Sequence, residues 1–441
     1  MDEFVVATTV AVCLIFVLMA IGTPVFAALG LAGVVGIVMI EDLAFVLNRL
    51  KAFSYHQSAS YLLTVIPLFI LMGAFAHHAG VGQRLFGVAR KWVGHRPGGL
   101  AMASILTCAG FAATSGSSVA TAATVGSVAI PEMRKAGYDP RLSAGAVAAG
   151  GVLGVLIPPS VLLIFYAALT EVSAGKMLVA GVIPGILSTL VFMAGIWVIC
   201  RGRGRSVRTG TEPAASWGAR LASLADAWQV LLLFVVVLGG IYLGLVTPTE
   251  AGAVGAFAAF VMLLLARQAR PQLKEKLLES CRSSITTTVM ILFTMIGAGI
   301  FSYFLSLAQI PQLIAATVVE ADVPPLAVIF LLLAIYFPLG MFLDAFSMLV
   351  ITLPIMFPTV VSLGYDPIWF GILAVKMCEI GLITPPMGLN VYVIAGIDRS
   401  TPLTQIFRGA WWFVLMEIAT TLILFFFPII VTWLPDNMLG K

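Results

Sequence analysis

Three kinds of residue in this chain could do chemistry away from water. The first is a run of hydroxyls, Thr114-Ser115-Gly116-Ser117-Ser118, followed by Thr121 and Thr124. Clustered hydroxyls can ligate a hard cation, although Ser and Gly also let membrane helices approach closely. The second is Asp344 with Ser347, inside Met341-Phe342-Leu343-Asp344-Ala345-Phe346-Ser347. A lone carboxylate at membrane depth costs on the order of 3 kcal/mol by insertion scales. Asp344 therefore needs a cation, a proton or a polar cavity. The third is backbone. Gly154-Val155-Leu156-Ile157-Pro158-Pro159-Ser160 and Gly381-Leu382-Ile383-Thr384-Pro385-Pro386-Met387 interrupt long apolar runs. Proline lacks a donor and clashes with the preceding turn, so paired prolines unwind a helix. Unwound backbone survives at membrane depth only where it lines a cavity or is buried in protein. Freed carbonyls suit Na+, and exposed helix N-termini suit a carboxylate.

Other polar residues read more blandly. Lys376 and Glu379 lie three apart just before the second break and read as an i,i+3 ion pair, with Glu379 bracing the unwound segment. Glu250 follows Thr247-Pro248-Thr249 and reads as an N-terminal helix charge. His77 and His78 end a span. The five cysteines are scattered with no CxxC pair, which suggests neither a disulfide framework nor a zinc site.

These residues need a membrane-embedded frame. The chain has 441 residues, 61% hydrophobic and only 10% charged, too few charges to cover a soluble surface. No hydrophilic stretch is long enough for a separate domain. The net charge of +4 identifies no partner, and nucleic acid is not expected. The acidic start Met1-Asp2-Glu3 lacks the basic region of a cleaved signal, so its apolar run reads as a retained span. Crossing segments are expected near 4–23, 25–40, 61–78, 141–170, 176–200, 229–246, 250–266, 286–308, 367–396 and 404–434. The stretches 99–134 and 325–361 are long but rich in Gly, Ser, Thr or Pro, and read as re-entrant hairpins. Segments 81–97 and 267–285 carry mixed charge and read as surface helices. Basic clusters at Arg84, Arg90, Lys91 and Arg96, at Arg201, Arg203, Arg205 and Arg208, and at Arg267, Arg270, Lys274, Lys276 and Arg282 place those loops in the cytoplasm. Counting crossings then brings 99–134 in from the cytoplasm and 325–361 in from the other face, where Glu320 and Asp322 lie.

Self-similarity organises the whole. Gly137-Tyr138-Asp139-Pro140 recurs as Gly364-Tyr365-Asp366-Pro367, an offset of 227. Pro158-Pro159 recurs as Pro385-Pro386, Gly154 as Gly381 and Pro131 as Pro358 at the same offset. It also pairs Ser117 with Asp344. The expected fold is an all-α integral membrane protein built as an inverted-topology repeat, with two re-entrant hairpins and two broken helices. Residues 1–226 form the first repeat and 227–441 the second. An odd number of crossings inverts the second half, and the site belongs at the midplane between them.

Four strings carry a family resemblance: Ser115-Gly116-Ser117-Ser118-Val119-Ala120-Thr121-Ala122, Leu156-Ile157-Pro158-Pro159-Ser160, Thr247-Pro248-Thr249-Glu250-Ala251, and Glu379 through Asn390. In this order they resemble the large membrane subunit of TRAP (tripartite ATP-independent periplasmic) transporters, the DctM-like family. The resemblance implies an elevator-type, Na+-driven importer of organic acids in the bacterial inner membrane. It also implies a periplasmic substrate-binding protein and a small four-helix membrane subunit as partners. It maps one Na+ site to Ser115 and Ser117 with the backbone near Gly154. The other maps to Asp344 and Ser347 with Gly381 to Thr384. The organic acid is then expected near Ser118, Thr121, Pro158, Pro159, Ser160, Pro385, Pro386 and Asn390. A stand-alone carboxylate or proton antiporter of related architecture is the first competitor. An intramembrane serine hydrolase using Gly116-Ser117-Ser118 with His77 or His78 is the second, but spread hydroxyls argue against one activated nucleophile.

Overall fold

The computed structural model describes residues 2–42, 61–202, 213–310, 313 and 323–438. Arg203, Arg205, Arg208, Glu320 and Asp322, which bear on sidedness, lie outside the described residues. Among those described, all regular structure is helical. The first half holds α1 (Asp2–Ala20), α2 (Val25–Ile40), α3 (Val65–His78), α4 (Val81–Val93), α5 (Gly99–Ser115), α6 (Ser118–Lys135), α7 (Pro140–Leu156), α8 (Val161–Thr170), α9 (Ala174–Ala180) and α10 (Val182–Gly202). The second holds α11 (Trp217–Tyr242, irregular in its middle), α12 (Pro248–Leu265), α13 (Leu273–Leu307), α14 (Pro325–Gly340), α15 (Ala345–Ser362), α16 (Pro367–Gly381), α17 (Leu389–Ile397), α18 (Leu403–Phe426) and α19 (Ile429–Asp436). Seven described helices are long and apolar enough to cross a membrane, or eight if α7 and α8, bent by 43°, count as one span.

The repeated words are helix punctuation. Gly137 and Gly364 adopt left-handed φ of 74° and 78°, which end α6 and α15. Asp139 then accepts from the Arg141 N–H at 2.8 Å, and Asp366 from Ile368 and Trp369 at 2.7 and 2.8 Å. Each caps a helix whose first residue is proline, where the missing donor costs nothing. Ser117 and Asp344 are likewise N-caps, of α6 and α15. The boundaries of these two helices differ by the offset of 227 at both ends. Thr247 and Glu250 form a capping box on α12, so Glu250 is a helix-start charge as its sequence context indicates.

Packing divides the elements. Glycines bring α2 and α13 together: a Cβ on Gly33 would lie 2.9 Å from the Phe301 Cα, and one on Gly297 would strike the Phe26 carbonyl. Gly252 and Gly255 of α12 similarly receive Leu68 and Met72 of α3. In the other group every residue from Leu142 to Ala167 is buried. Backbone that stops being helical there is covered by protein on all sides.

Some expectations need correction. The charged segment 267–285 is not a separate surface helix. After a 3-10 turn at Arg267–Gln272 it runs unbroken into the span as the 35-residue α13, about 52 Å long. Beyond Pro271 no glycine or proline occurs before Ile285, so the helix continues. The segment 81–97 does form a short amphipathic helix, α4. The stretch 404–434 is two helices, parted at Phe427-Pro428. The loop assigned to 201–226 already contains the first turns of α11.

Lys376 does not pair with Glu379. Its ammonium donates to the Glu417 carboxylate on α18 and to Ser188 on α10, the latter at 2.8 Å. Thr420 donates to the same Glu417 oxygen at 2.7 Å. Both charges are buried, at 2% and 1% side-chain exposure, so each depends on the other. Glu417→Gln should therefore cost about 3–5 kcal/mol and reduce the folded fraction recovered from membranes. The double variant Lys376→Met/Glu417→Leu should restore much of it. Size-exclusion recovery checks this, and a Glu417→Gln protein as abundant as wild type would show that Ser188 and Thr420 suffice for the lysine.

Candidate ion and substrate site

A cavity of about 660 Å³ opens between the two packing groups. Its wall on one side is α3 and α13, with His77, His78, Glu279 and Ser280. Opposite lie the tip of the first hairpin, Ser115 to Ala120, and the tip of the second, Asp344 to Phe346. Four helix N-termini border it, through Ser118 of α6, Val161 of α8, Ala345 of α15 and Leu389 of α17. Unpaired N–H groups and the helix dipole make such ends favourable for anions.

The first hairpin tip meets the first break. Gly116, at a left-handed φ of 62°, ends α5. Its carbonyl accepts from the Val161 N–H at 3.3 Å, and a Cβ there would lie 2.7 Å from the Pro159 oxygen. A Cβ on Gly154 would lie 2.5 Å from the Ser117 carbonyl oxygen and 2.6 Å from the Thr121 hydroxyl. Ser115 and Thr121 share a hydrogen bond of 2.7 Å. Ser115, Ser117, Thr121 and Gly154 are thus gathered around one point, all contributing oxygens except the glycine, which provides room.

The second tip meets the second break differently. Gly340 and Gly381 are in backbone contact, and Met387 N–H donates to the Met341 carbonyl at 3.3 Å. Asp344 uses its carboxylate as an N-cap: one oxygen accepts from Phe346 and Ser347 N–H at 3.1 and 3.3 Å, the other from the Ser347 hydroxyl. A carboxylate has about four acceptor positions, so one remains toward the cavity. Thr384 does not join this group. Its hydroxyl turns back to the Ile380 carbonyl at 2.6 Å.

The residues expected around an organic acid are only partly together. Ser118 borders the cavity and accepts from Asn390 Nδ2 at 2.7 Å, which also donates to the Ala148 carbonyl at 3.2 Å. Asn390 thereby ties the second break to the first tip. Pro158, Pro159 and Ser160 are buried behind the wall, and Ser160 caps α8 by accepting from Leu163. Pro385 and Pro386 are exposed and border no part of this cavity. Both paired prolines are joined by cis bonds. Their part is to end helices, which leaves the cavity to the residues on either side.

Two features escape a sequence reading. His77 lines the cavity and its Nδ1 is 2.7 Å from the Thr124 hydroxyl, linking α3 to the first hairpin. At the far end of that hairpin Arg134 pairs with Asp398, just after α17. Burial alone would raise the Asp398 carboxyl, but hydrogen bonds from Thr401, Arg134 and Ser400 hold it below the usual carboxylate range. Paired breaks of opposite halves were legible; which side chains cross between halves was not.

Hairpin tips resting on broken helices inside a multi-pass helical bundle define a membrane transport protein. The crystal structure of the Alcanivorax borkumensis YdaH transporter shares this fold, with a TM-score of 0.61 over 88% of each chain at 16% identity. Residues 12–430 match the family described as tripartite ATP-independent periplasmic transporter, DctM component, and the chain belongs to that family. The C4-dicarboxylate TRAP transporter large permease protein DctM of Pseudomonas aeruginosa is 41% identical over 92% of each chain. The isethionate TRAP transporter permease protein DctMQ of Oleidesulfovibrio alaskensis is 33% identical, over 93% of this chain and 64% of that one.

The tip-to-break contact predicts a graded pair of variants. Gly154→Ala should force the Ser117 carbonyl and Thr121 hydroxyl outward, at about 1–3 kcal/mol, and cut transport by roughly tenfold or more. Gly396→Ala, where a Cβ meets nothing within 4 Å, should transport as wild type. Uptake per folded protein checks both, and equal activities would show that the contact at Gly154 is incidental.

Proposed function

We propose that this chain imports an organic acid across the bacterial inner membrane, driven by Na+ and supplied by a periplasmic binding protein. The carrying observation is the first tip, where Ser115, Ser117 and Thr121 place oxygens against the gap left by Gly154. Asp344 supports a second Na+ position, because one acceptor site of its carboxylate stays open toward the cavity. Four helix N-termini suit the carboxylate of the substrate. C4-dicarboxylates are the first class to test, since a relative named for them is 41% identical. A small membrane subunit completes the assembly in this reading. The relative named DctMQ, of which this chain matches 64%, supports it.

The matched helix boundaries support an internal repeat, and in this reading an odd number of crossings sets its two halves in opposite orientation. Movement of the hairpins and broken helices against α2, α3, α12 and α13 then provides alternating access. The cavity lies between these groups, where such a movement would carry its contents.

Two measurements test the reading. Proteoliposomes should take up a dicarboxylate only with an inward Na+ gradient and the binding protein present; full uptake on a proton gradient alone would overturn the ion assignment. Asp344→Asn keeps an N-cap acceptor and should fold. Losing the charge at a partly desolvated cation site should raise the Na+ concentration for half-maximal uptake about fivefold or more, or at least ~1 kcal/mol. An unchanged Na+ titration would remove Asp344 from the site.

A further inference from the structure

A second pocket, of about 260 Å³, lies where the first turns of α7 and α18 meet the last turn of α10, and it shares no residue with the ion cavity. Close backbone contact builds it. A Cβ on Gly409 would strike the Arg141 carbonyl, and one on Gly145 would strike the backbone of Gly409, so α18 lies directly on α7. That contact brings Arg141 and Arg408 to one pocket, together with Asp139. Both arginines are exposed, and none of the described ion pairs or hydrogen bonds involves either guanidinium. Asp139 spends one carboxylate oxygen on the Arg141 N–H, at 2.8 Å. Ile199 and Trp412 give the pocket its apolar side.

We infer that this pocket binds the headgroup of an anionic glycerophospholipid of the phosphatidylglycerol kind, its phosphodiester on Arg141 and Arg408 and a headgroup hydroxyl on Asp139. The acyl chains then lie outside the pocket, along the membrane-facing surfaces of α10 and α18.

Charge and depth both favour this occupant. Two arginines and one aspartate leave the pocket one net positive charge, which one phosphodiester cancels. A guanidinium presents paired donors that match phosphate oxygens, and such charge-assisted bonds are the strong ones. Trp197 of α10 and Trp411 and Trp412 of α18 are each more than a third exposed and sit at these same helix ends. The Arg201 guanidinium lies over the Trp197 ring at 4.9 Å. Exposed tryptophans beside basic residues mark the headgroup layer of a bilayer, and the basic residues Arg134, Lys135 and Arg201 at these ends mark its cytoplasmic side. Basic pockets between spans on that side suit anionic headgroups. Val198 of α10 and Leu415 of α18 are exposed along the spans and continue the apolar track for acyl chains. Asp139 adds selectivity. Its second oxygen makes no described hydrogen bond and can accept from a glycerol hydroxyl, which a choline headgroup lacks. A free phosphate would meet the arginines but would leave the apolar side of the pocket unused.

Lipid titration read by native mass spectrometry tests this. The full chain, purified with its co-purifying partners and stripped of lipid in a nonionic detergent, is titrated with phosphatidylglycerol or phosphatidylcholine. Wild type should bind one phosphatidylglycerol well ahead of any further copy, and phosphatidylcholine without that preference. The double variant Arg141→Gln/Arg408→Gln should weaken the first phosphatidylglycerol by about tenfold or more. Both side chains are exposed and make no ion pair, so this variant should fold; Arg408→Gln alone, with a smaller loss in the same direction, stands in if it does not. Arg84→Gln, a basic residue on α4 away from the pocket, should bind as wild type. Equal binding by wild type and the arginine variants overturns the site, and an equal loss in Arg84→Gln reduces it to general attraction by basic charge. Equal binding of phosphatidylcholine overturns the headgroup assignment. Displacement of the lipid by inorganic phosphate at the same concentration makes the pocket a free-phosphate site and overturns the lipid.

Discussion

Lipid cannot hydrogen-bond to a peptide group, and most of this structure follows from that fact. A helix that unwinds at membrane depth leaves N–H and C=O groups that only protein, water or an ion can satisfy. This chain unwinds twice at paired prolines and turns back twice at hairpin tips. Each tip is set against a break: Val161 N–H meets the Gly116 carbonyl, and Met387 N–H meets the Met341 carbonyl. Gly116, Gly154, Gly340 and Gly381 stand at those contacts because only hydrogen fits between the backbones. Covering the breaks requires the continuous buried layer around α7, α8 and α16. At the two tips, Ser115 to Ala120 and Asp344 to Phe346, part of what stays uncovered faces one cavity, and there the remaining oxygens and N–H groups can hold ions and an anion.

Local signals in the sequence were sufficient for much of this frame. The word Gly-Tyr-Asp-Pro is a helix stop followed by a helix start, and both copies act that way. The tips could be placed because Ser117 and Asp344 sit at equivalent cap positions on the same offset. Helix continuity was harder. Residues 267–285 look amphipathic and superficial by charge, yet no proline lies between Leu273 and Leu307 and no glycine before Gly297, so the charged stretch runs on into the span as one long helix.

Side-chain partners were the least legible part. Lys376 and Glu379 are three residues apart, which makes a pair on one helix attractive, but the real partner is 41 positions away on α18. A usable signal did exist. Glu417 is itself an intramembrane carboxylate, beside Thr420 and Thr421, and two opposite charges in apolar spans should be expected to seek each other. Once Lys376 is taken, Glu379 becomes the residue without a counter-charge. The same limitation applies to Asn390, whose contact with Ser118 joins residues 272 positions apart.

The glycine contact between α2 and α13 has a mechanical consequence. Where two helices touch backbone to backbone, as Gly33 does at Phe301 and Gly297 does at Phe26, neither can roll about its own axis without collision. There is no layer of side chains to act as a bearing. The pair therefore behaves as a rigid beam, and α13, at about 52 Å, is longer than the roughly 30 Å hydrocarbon layer it crosses. A beam that overhangs its support can stay put while the bilayer around it thins or thickens, so the α2–α13 pair keeps its shape in membranes of different depth.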